Sequence, residues 1–455
     1  MGRRRRWFLL AGAVVLLAGC GGEYRWSKSF GGGSFVDTIR VGDVAVAPDG
    51  AAIVVGRFEG RVDIGGTSLT ANGKADIFVA RYRANGDVDW VQKFGGSVSD
   101  SDYANAVVFD ADGNAYVGGE FRNTATFGTV TLTSASPNSD GFVAKVTPTG
   151  TVAWARAIGG TGIGTDTVSA LATNGTRVAA TGQWTDAKGD VLLAAMNTSN
   201  GADVFAPRHE GGSEDDYGNG IAIDAAGTIT VTGFFKERAN LAGQRLTSAG
   251  FDDTFLARYG AGGNGLTAKR FGSTGLDRPA SLASAGDELV LAGNFAGTVD
   301  FGGKSVTALG PGDMFVTRFG ANLAPIWAQR YGGNTGSAET LHDVAVDTKG
   351  NAVATGEVIA SVDFGTGALN PVGTGQDPFL VKIDPTGKTV WAKRFTTTSQ
   401  ATNVGAAVAT APDNDVVAAG AFMADITIGG TTPHTSVGGN GFTQSPDGYI
   451  ARFAA

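Results

Sequence analysis

Cysteine is almost absent: Cys20 is the single one in 455 residues, so no internal disulfide braces this chain. Histidine is nearly as scarce. His209, His342 and His434 stand far apart, in no spacing that suits a zinc or copper centre, and no metal site is expected from them. Proline is limited to 13 residues and charge to 17% of the chain, yet 42% is hydrophobic, which excludes a disordered polymer. There is no long amphipathic helical period. No nucleophile elbow, P-loop or dinucleotide fingerprint stands in its proper setting, and the many G-x-G matches are what 72 glycines yield by chance. That glycine, set among many Val, Ala, Thr and Phe, indicates short strands joined by tight turns.

The N-terminus has a different character. Arg3 to Arg6 precede an apolar run, Trp7 to Ala18, which is too short for an ordinary membrane span and has the layout of a secretory signal. It ends in Leu17-Ala18-Gly19-Cys20, which resembles a bacterial lipobox. The resemblance implies cleavage before Cys20 and acylation there, with palmitate-type chains as a stable membrane anchor. The competing reading is an ordinary signal with a chance cysteine, or an uncleaved anchor. The expected parts are a signal peptide over 1–19, a lipid-anchored linker over 20–25 and a folded body over 26–455. Without residues 1–19 the chain carries 31 basic and 43 acidic residues, a net charge of −12. Lacking basic clusters, such a surface argues against nucleic acid and against electrostatic adhesion to anionic lipid. Gly21 stands where an Asp favours inner-membrane retention in well-studied Gram-negative bacteria, so the outer membrane is the expected home.

Repeats organise the rest. A glycine in V-x-G-x-F recurs at Gly56, Gly119, Gly182, Gly233, Gly293, Gly356 and Gly420, at spacings of 63, 63, 51, 60, 63 and 64. An acidic anchor in D-x-F-V-A-[KR] recurs at Asp76, Asp140, Asp190, Asp253, Asp313, Asp377 and Asp447. A Trp strand, W-x-[KR]-x-F-G-G, is seen at Trp26, Trp90, Trp154, Trp327 and Trp391, and other residues fill it in the fourth and fifth units. Each unit holds four strand-like runs, with Asp112-Gly113 and Pro148-Thr149-Gly150 as typical hairpin turns. Four strands at this period indicate propeller blades, and the fold class is all-β with seven of them. The first strand is of the Trp type and the last of the D-x-F type, so pairing the two closes the ring and leaves no frayed edge.

These motifs, with D-x-x-G-N-x-Y-V-x-G, resemble the bacterial β-propeller repeat (SBBP) family over nearly all of residues 24–455. The resemblance implies a propeller fold and an exported location, and no particular reaction. The third unit departs most, with only eight residues from Gly182 to Asp190.

In such a blade the Trp strand is the outer edge, and the strand after it lies innermost. The Gly-Gly loops and the long segments between V-x-G-x-F and D-x-F are then expected on one face, and the tight turns on the other. Submotifs such as Val62-Asp63-Ile64-Gly65-Gly66 and Val299-Asp300-Phe301-Gly302-Gly303 read as an ornamental hairpin on each blade. Acidic residues are the only serious site candidates. Asp37, Asp100, Asp102, Asp166, Asp215, Asp216, Asp277 and Glu339 lie in the Gly-Gly loops, and the seventh unit has no acid there. Two readings stand: a ring at the channel mouth that binds Ca²⁺ or a cationic partner, or loop carboxylates that cap turns. The D-x-F aspartates read as architecture, bonding nearby backbone N–H groups. The repeated Trp residues read as inter-blade packing rather than sugar platforms, and Trp184 as filling the usual Phe slot.

The expected function is a monomeric, non-enzymatic, lipid-anchored scaffold of the cell envelope that binds a protein or glycan through its long-loop face. Alternatives are a glycosidase or lyase with carboxylates near the channel, and an envelope-assembly factor.

Overall fold

The repeat divides where the glycine register divides it. In the first unit Thr38–Val46, Ala52–Glu59, Asp76–Tyr82 and Val88–Phe94 pair in that order as an antiparallel sheet. Their second and third strands are buried almost throughout, as Val, Ile, Ala and Phe pack on both faces. The computed structural model describes residues 21–34, 36–96, 100–186, 188–333, 339–371, 375–397, 403–429, 432–436 and 445–455. Cys20 and the signal-like segment lie outside the described residues.

Seven such sheets form a β-propeller. Blades 1 to 6 each begin with the strand after a Gly-Gly loop: Thr38–Val46, Tyr103–Phe109, Thr167–Thr173, Tyr217–Ile223, Arg278–Ala285 and Thr340–Val346. These strands, with Val404–Thr410 of blade 7, pack side by side around a central channel. Blade 7 takes its inner three strands from Val404–Thr410, Val416–Phe422 and Asp447–Phe453, and its outer strand from Tyr24–Gly32. The closing register runs from Tyr24 opposite Phe453 to Phe30 opposite Gly448. Ring closure by the two ends of the chain is therefore a fact of the fold.

The Trp strands are outer strands, and their rings lock each blade to the next. Trp26, Trp90 and Trp327 donate from Nε1 to the carbonyls of Ala84, Pro148 and Pro385, each at 2.9 Å and each in a tight turn of the following blade. Trp154 does the same to Thr198 at 3.2 Å. Trp391 is different, because the following blade has chain ends where others have a turn. Gly21 and Gly22 cover it instead; a Cβ on either would lie 3.0 Å from a ring carbon. Gly22 N–H donates to Ala454 O at 3.0 Å, and Ala454 N–H to Glu23 O at 2.7 Å. The segment just after Cys20 is thus packed into the tight-turn face.

The inserted hairpins do not stand on a rim as ornaments, and here the structure corrects the sequence reading. Each leaves the Gly-Gly-loop end of its blade and folds down the outside. The tips of those in blades 1, 2 and 5, at Gly65, Gly128 and Gly302, come against Val88, Val152 and Pro325, where the outer strand begins. Between blades they act as wedges. Phe127 packs on Phe94 of the preceding blade and Phe142 of its own at centroid distances of 5.5 and 4.6 Å. Phe301 does so between Phe271 and Phe315, and Phe364 between Tyr331 and Phe379. The physical reason is radial: flat blades diverge toward the perimeter, and the widening gap must be filled to native density. Blade 3 has no hairpin. There Trp184 stacks on His209 at 5.3 Å and lies over Gly160 of the preceding outer strand's loop.

Candidate functional site at the mouth of the channel

The acidic residues of the Gly-Gly loops immediately precede the inner strands. Asp37, Asp102, Asp166, Asp216, Asp277 and Glu339 are 0–8% exposed. In blade 2, Asp102 accepts from Gly96 N at 2.8 Å and from Arg122 N at 3.0 Å, tying the loop to the end of the second strand. Asp166 does the same with Gly160 N and Thr185 N, and Asp277 with Ser273 N and Ala296 N. Asp37 accepts from Arg61 N, and Asp216 from Lys236 N. In blade 7 the position is Asn403, whose Oδ1 accepts from Met423 N at 2.9 Å. The bonded oxygens of Asp37, Asp102, Asp166, Asp216, Asp277 and Asn403 thus meet backbone donors, which is the capping arrangement.

The second carboxylate of each repeat lies beside the first. At Gly95, with φ of +152°, a Cβ would fall 2.7 Å from Asp76 Oδ1 and 3.0 Å from Asp102 Oδ2, so only glycine lets the two approach. Burial, and then the charges of Asp76 and Asp100, push Asp102 up to about 6. Burial likewise pushes Asp216 up to about 7, with Asp190 and Asp215 adding to it. Elsewhere the D-x-F carboxylates take a cation from the outer strand: Asp253 with Arg270 at 2.5 Å, Asp313 with Arg330 at 2.6 Å and Asp377 with Arg394 at 2.8 Å.

The channel itself is lined by residues the repeat does not specify. Every inner strand carries a β-bulge at one shared register, at Gly42, Asn105, Ser169, Asn219, Ala280, His342 and Ala406. All of these bulged residues line a cavity of about 650 Å³ along the channel. Extra residues of this kind aim side chains inward where regular strands would not. Beside two bulges, Asp43 and Asp343 brace neighbouring blades. Asp43 accepts from Val107 N of blade 2, and Asp343 from Val408 N of blade 7, each at 2.8 Å. Burial, and then the Asp343 charge, hold the Asp43 carboxyl well above the usual range.

At the Gly-Gly-loop end the channel opens into a mouth of mixed charge and aromatic character. Arg57 lies over the Tyr103 ring at 4.2 Å. Glu120 is opposite Tyr103 in register, and burial pushes its carboxyl up to about 6 against the pull of Arg122 and Arg57. Tyr217 stacks on Phe234 at 5.8 Å with planes 5° apart, and Arg278 covers Phe234 at 4.5 Å. Blade 6 adds His342, 2.7 Å from Glu357. The remaining histidines belong elsewhere, His209 with Asp190 and His434 with Ser27. Among the described residues no group of three or more His, Cys, Asp or Glu converges as a metal set.

Sequence reasoning passed over this mouth, although a signal was present. The residue after the glycine of V-x-G-x-F varies from blade to blade, with only glutamate used twice: Arg57, Glu120, Gln183, Phe234, Asn294, Glu357 and Ala421. Those side chains carry the mouth, and their variation within a fixed register is the mark of positions freed from architecture.

No protein-family model matches the chain. An uncharacterized WD repeat-containing protein, L264, of Acanthamoeba polyphaga mimivirus is 22% identical over 425 residues, 81% of this chain and 28% of that protein. This is a β-propeller repeat protein. The chain spans little more than a quarter of that relative's length. Among solved structures, regucalcin of Agrobacterium tumefaciens, a calcium-binding protein, is 12% identical with a TM-score of 0.33, over 69% of this chain and 81% of that one. The quinohemoprotein alcohol dehydrogenase of Comamonas testosteroni is 10% identical with a TM-score of 0.44, over 96% of this chain and 76% of that one.

Proposed function

We propose that this protein is a non-enzymatic binding scaffold of the cell envelope, anchored by lipid on Cys20, that engages a glycan or protein ligand at the channel mouth. The observation that carries the reading is the mouth's asymmetry. Arg57, Tyr103, Glu120, Tyr217, Phe234 and Arg278 gather charge and flat rings on blades 1, 2, 4 and 5 of a near-sevenfold ring. A rigid ring supports such residues without an entropic cost of ordering loops, which suits binding.

The anchor reading draws on the start of the fold. Gly21 and Gly22 already pack on Trp391 of the tight-turn face, so almost no free chain separates the lipid from the ring. Five extended residues, Gly21 to Arg25, would span at most about 18 Å, at ~3.6 Å per residue. The tight-turn face then lies toward the membrane, the outer membrane by the Gly21 rule, and the mouth faces water.

The test is a glycan array and an envelope pulldown with the lipidated chain, each repeated with Tyr217→Ala and Phe234→Ala. Ligands held at the mouth should lose binding in both variants. Unaltered binding would move the site elsewhere.

A second reading rests on Glu120. A half-buried carboxyl raised to about 6 beside two arginines is tuned as a proton donor, as a glycosidase or lyase requires. A hydrolysis screen near pH 5.5 with wild type and Glu120→Gln separates the two readings: turnover lost in the variant favours the enzyme.

A further inference from the structure

Among the described residues the deeply buried arginines are all paired. Arg81 meets Asp49 and Asp89, Arg318 meets Glu288, Arg394 meets Asp377, and Arg452 meets Asp413 and Asp415. Arg57 is the exception at the mouth. Its guanidinium is half-buried over Tyr103, and burial lowers its pKa, yet it makes no ion pair or hydrogen bond among the described residues. Arg40 is directly opposite Arg57 across the inner two strands of blade 1, and is exposed. Like charges in that position destabilise a sheet, and a half-desolvated cation without an acceptor adds to the cost. Arg122, two residues beyond Glu120 on the same strand, is a second exposed guanidinium with no ion pair among the described residues. An arrangement that is unfavourable in the free protein is relieved by an anion.

We propose that Arg40, Arg57 and Arg122 form a carboxylate-binding site at the channel mouth over blades 1 and 2, and that its ligand is a glycan bearing uronic acid. This deepens the binding-scaffold reading and rests on it. Carboxylate follows from the planar, bidentate donors that guanidinium groups present. A sugar follows from what surrounds them. Glu59 and Glu120 act on Arg57 from nearby, and Arg122 and Asp102 act on Glu120, so the carboxylates leave the three arginines little net positive charge. That charge matches a monoanion better than a phosphate dianion. Glu120 offers an acceptor for a ring hydroxyl, and Tyr103 and Tyr217 offer flat apolar rings of the kind sugar faces stack on.

The experiment is calorimetric titration of the detergent-solubilised full chain with tetragalacturonate, with the neutral galactose tetramer, and with tetraglutamate. Wild type should bind the uronate at least about tenfold more tightly than either control. Arg57→Ala and Arg40→Ala should each weaken uronate binding about tenfold or more, with melting temperatures checked. Arg83→Ala, an exposed arginine paired with Asp89 beside a tight turn, should bind as wild type. Arg40 is exposed, so its variant remains informative if Arg57→Ala does not fold. Equal binding of the neutral sugar with no effect of either arginine, but loss in Tyr217→Ala, overturns the carboxylate site and leaves the mouth intact as a binding surface. Tetraglutamate binding as tight as the uronate overturns the sugar assignment. No binding of the uronate overturns the inference outright.

Discussion

Removing the Asp277 carboxylate should cost the fold several kcal/mol, far more than its place in a loop suggests. Asp277 is 1% exposed and accepts from Ser273 N at 2.5 Å, Ser273 Oγ at 2.9 Å and Ala296 N at 3.1 Å. The Ser273 hydroxyl has a second partner, Ala296 O at 2.6 Å, so Asp277→Ala strands two backbone N–H groups. A buried donor left without an acceptor costs about 1–3 kcal/mol, so the loss should be about 2–6 kcal/mol. Asp277→Asn should cost roughly half, because one acceptor oxygen remains; Asn403 makes such a single bond, to Met423 N, in blade 7. The matched control is Asp300→Ala. Asp300 also accepts from two backbone N–H groups, Gly302 and Gly303, but in an exposed turn where water replaces it. Urea unfolding reads all three, and unchanged m values would show that the states compared are the same. A loss below about 1 kcal/mol for Asp277→Ala, or one equal to that of Asp300→Ala, would refute the capping argument.

Three further outcomes follow from the same packing. Deleting Tyr24–Gly32 should expose the Asp447–Phe453 edge and cause aggregation or a sharply lower melting temperature; an unchanged melt would deny that this strand holds the ring shut. Phe127→Ala should cost about 3–5 kcal/mol because the wedge is fully buried, whereas Phe251→Ala, 62% exposed, should be near neutral by the same urea titration. Asp102 and Asp216, raised by burial to about 6 and about 7, bind protons in the folded state that the unfolded chain has released. Their contribution is therefore greatest below the unfolded value near 4 and is lost as pH rises through 6 to 7, so stability should increase from pH 7.5 to 5, and Asp216→Asn should flatten that slope.

The parts legible in the sequence are those the architecture repeats. Gly56 and its equivalents and the D-x-F aspartates recur in all seven units and the Trp in five, so each leaves a periodic trace. The wedges were visible as a submotif, but their purpose was not, because it depends on the radial gap between blades and not on any local pattern. The bulges were illegible for a plainer reason. Gly42, Asn105, Ser169, Asn219, Ala280, His342 and Ala406 share no residue type, and what they share is a register defined only by pairing with the next strand. The Gly-Gly-loop acids show the opposite difficulty. Their recurrence was plain, but a carboxylate that caps and one that waits for a cation look alike until the donors are seen.

The same logic separates scaffold from site. A position such as Asp277 or Trp327 is tightly constrained, since its backbone partners call for a buried acceptor in the one case and a ring N–H donor in the other. The position after the glycine of V-x-G-x-F has no shared duty: Asn294 bonds the Leu341 backbone of the next blade, while among the described residues Arg57 and Glu120 make no such bond. Nothing in the ring asks for arginine there in blade 1 and glutamate in blade 2. Nor does packing ask for Arg40 to face Arg57, which folding alone would disfavour. A sevenfold frame can tolerate that local cost because the neighbouring blades, each locked by its own Trp strand and capping side chain, hold blade 1 in place. The rigidity that makes the repeats so regular is what allows one sector of the mouth to keep an unfavourable charge arrangement ready for a ligand.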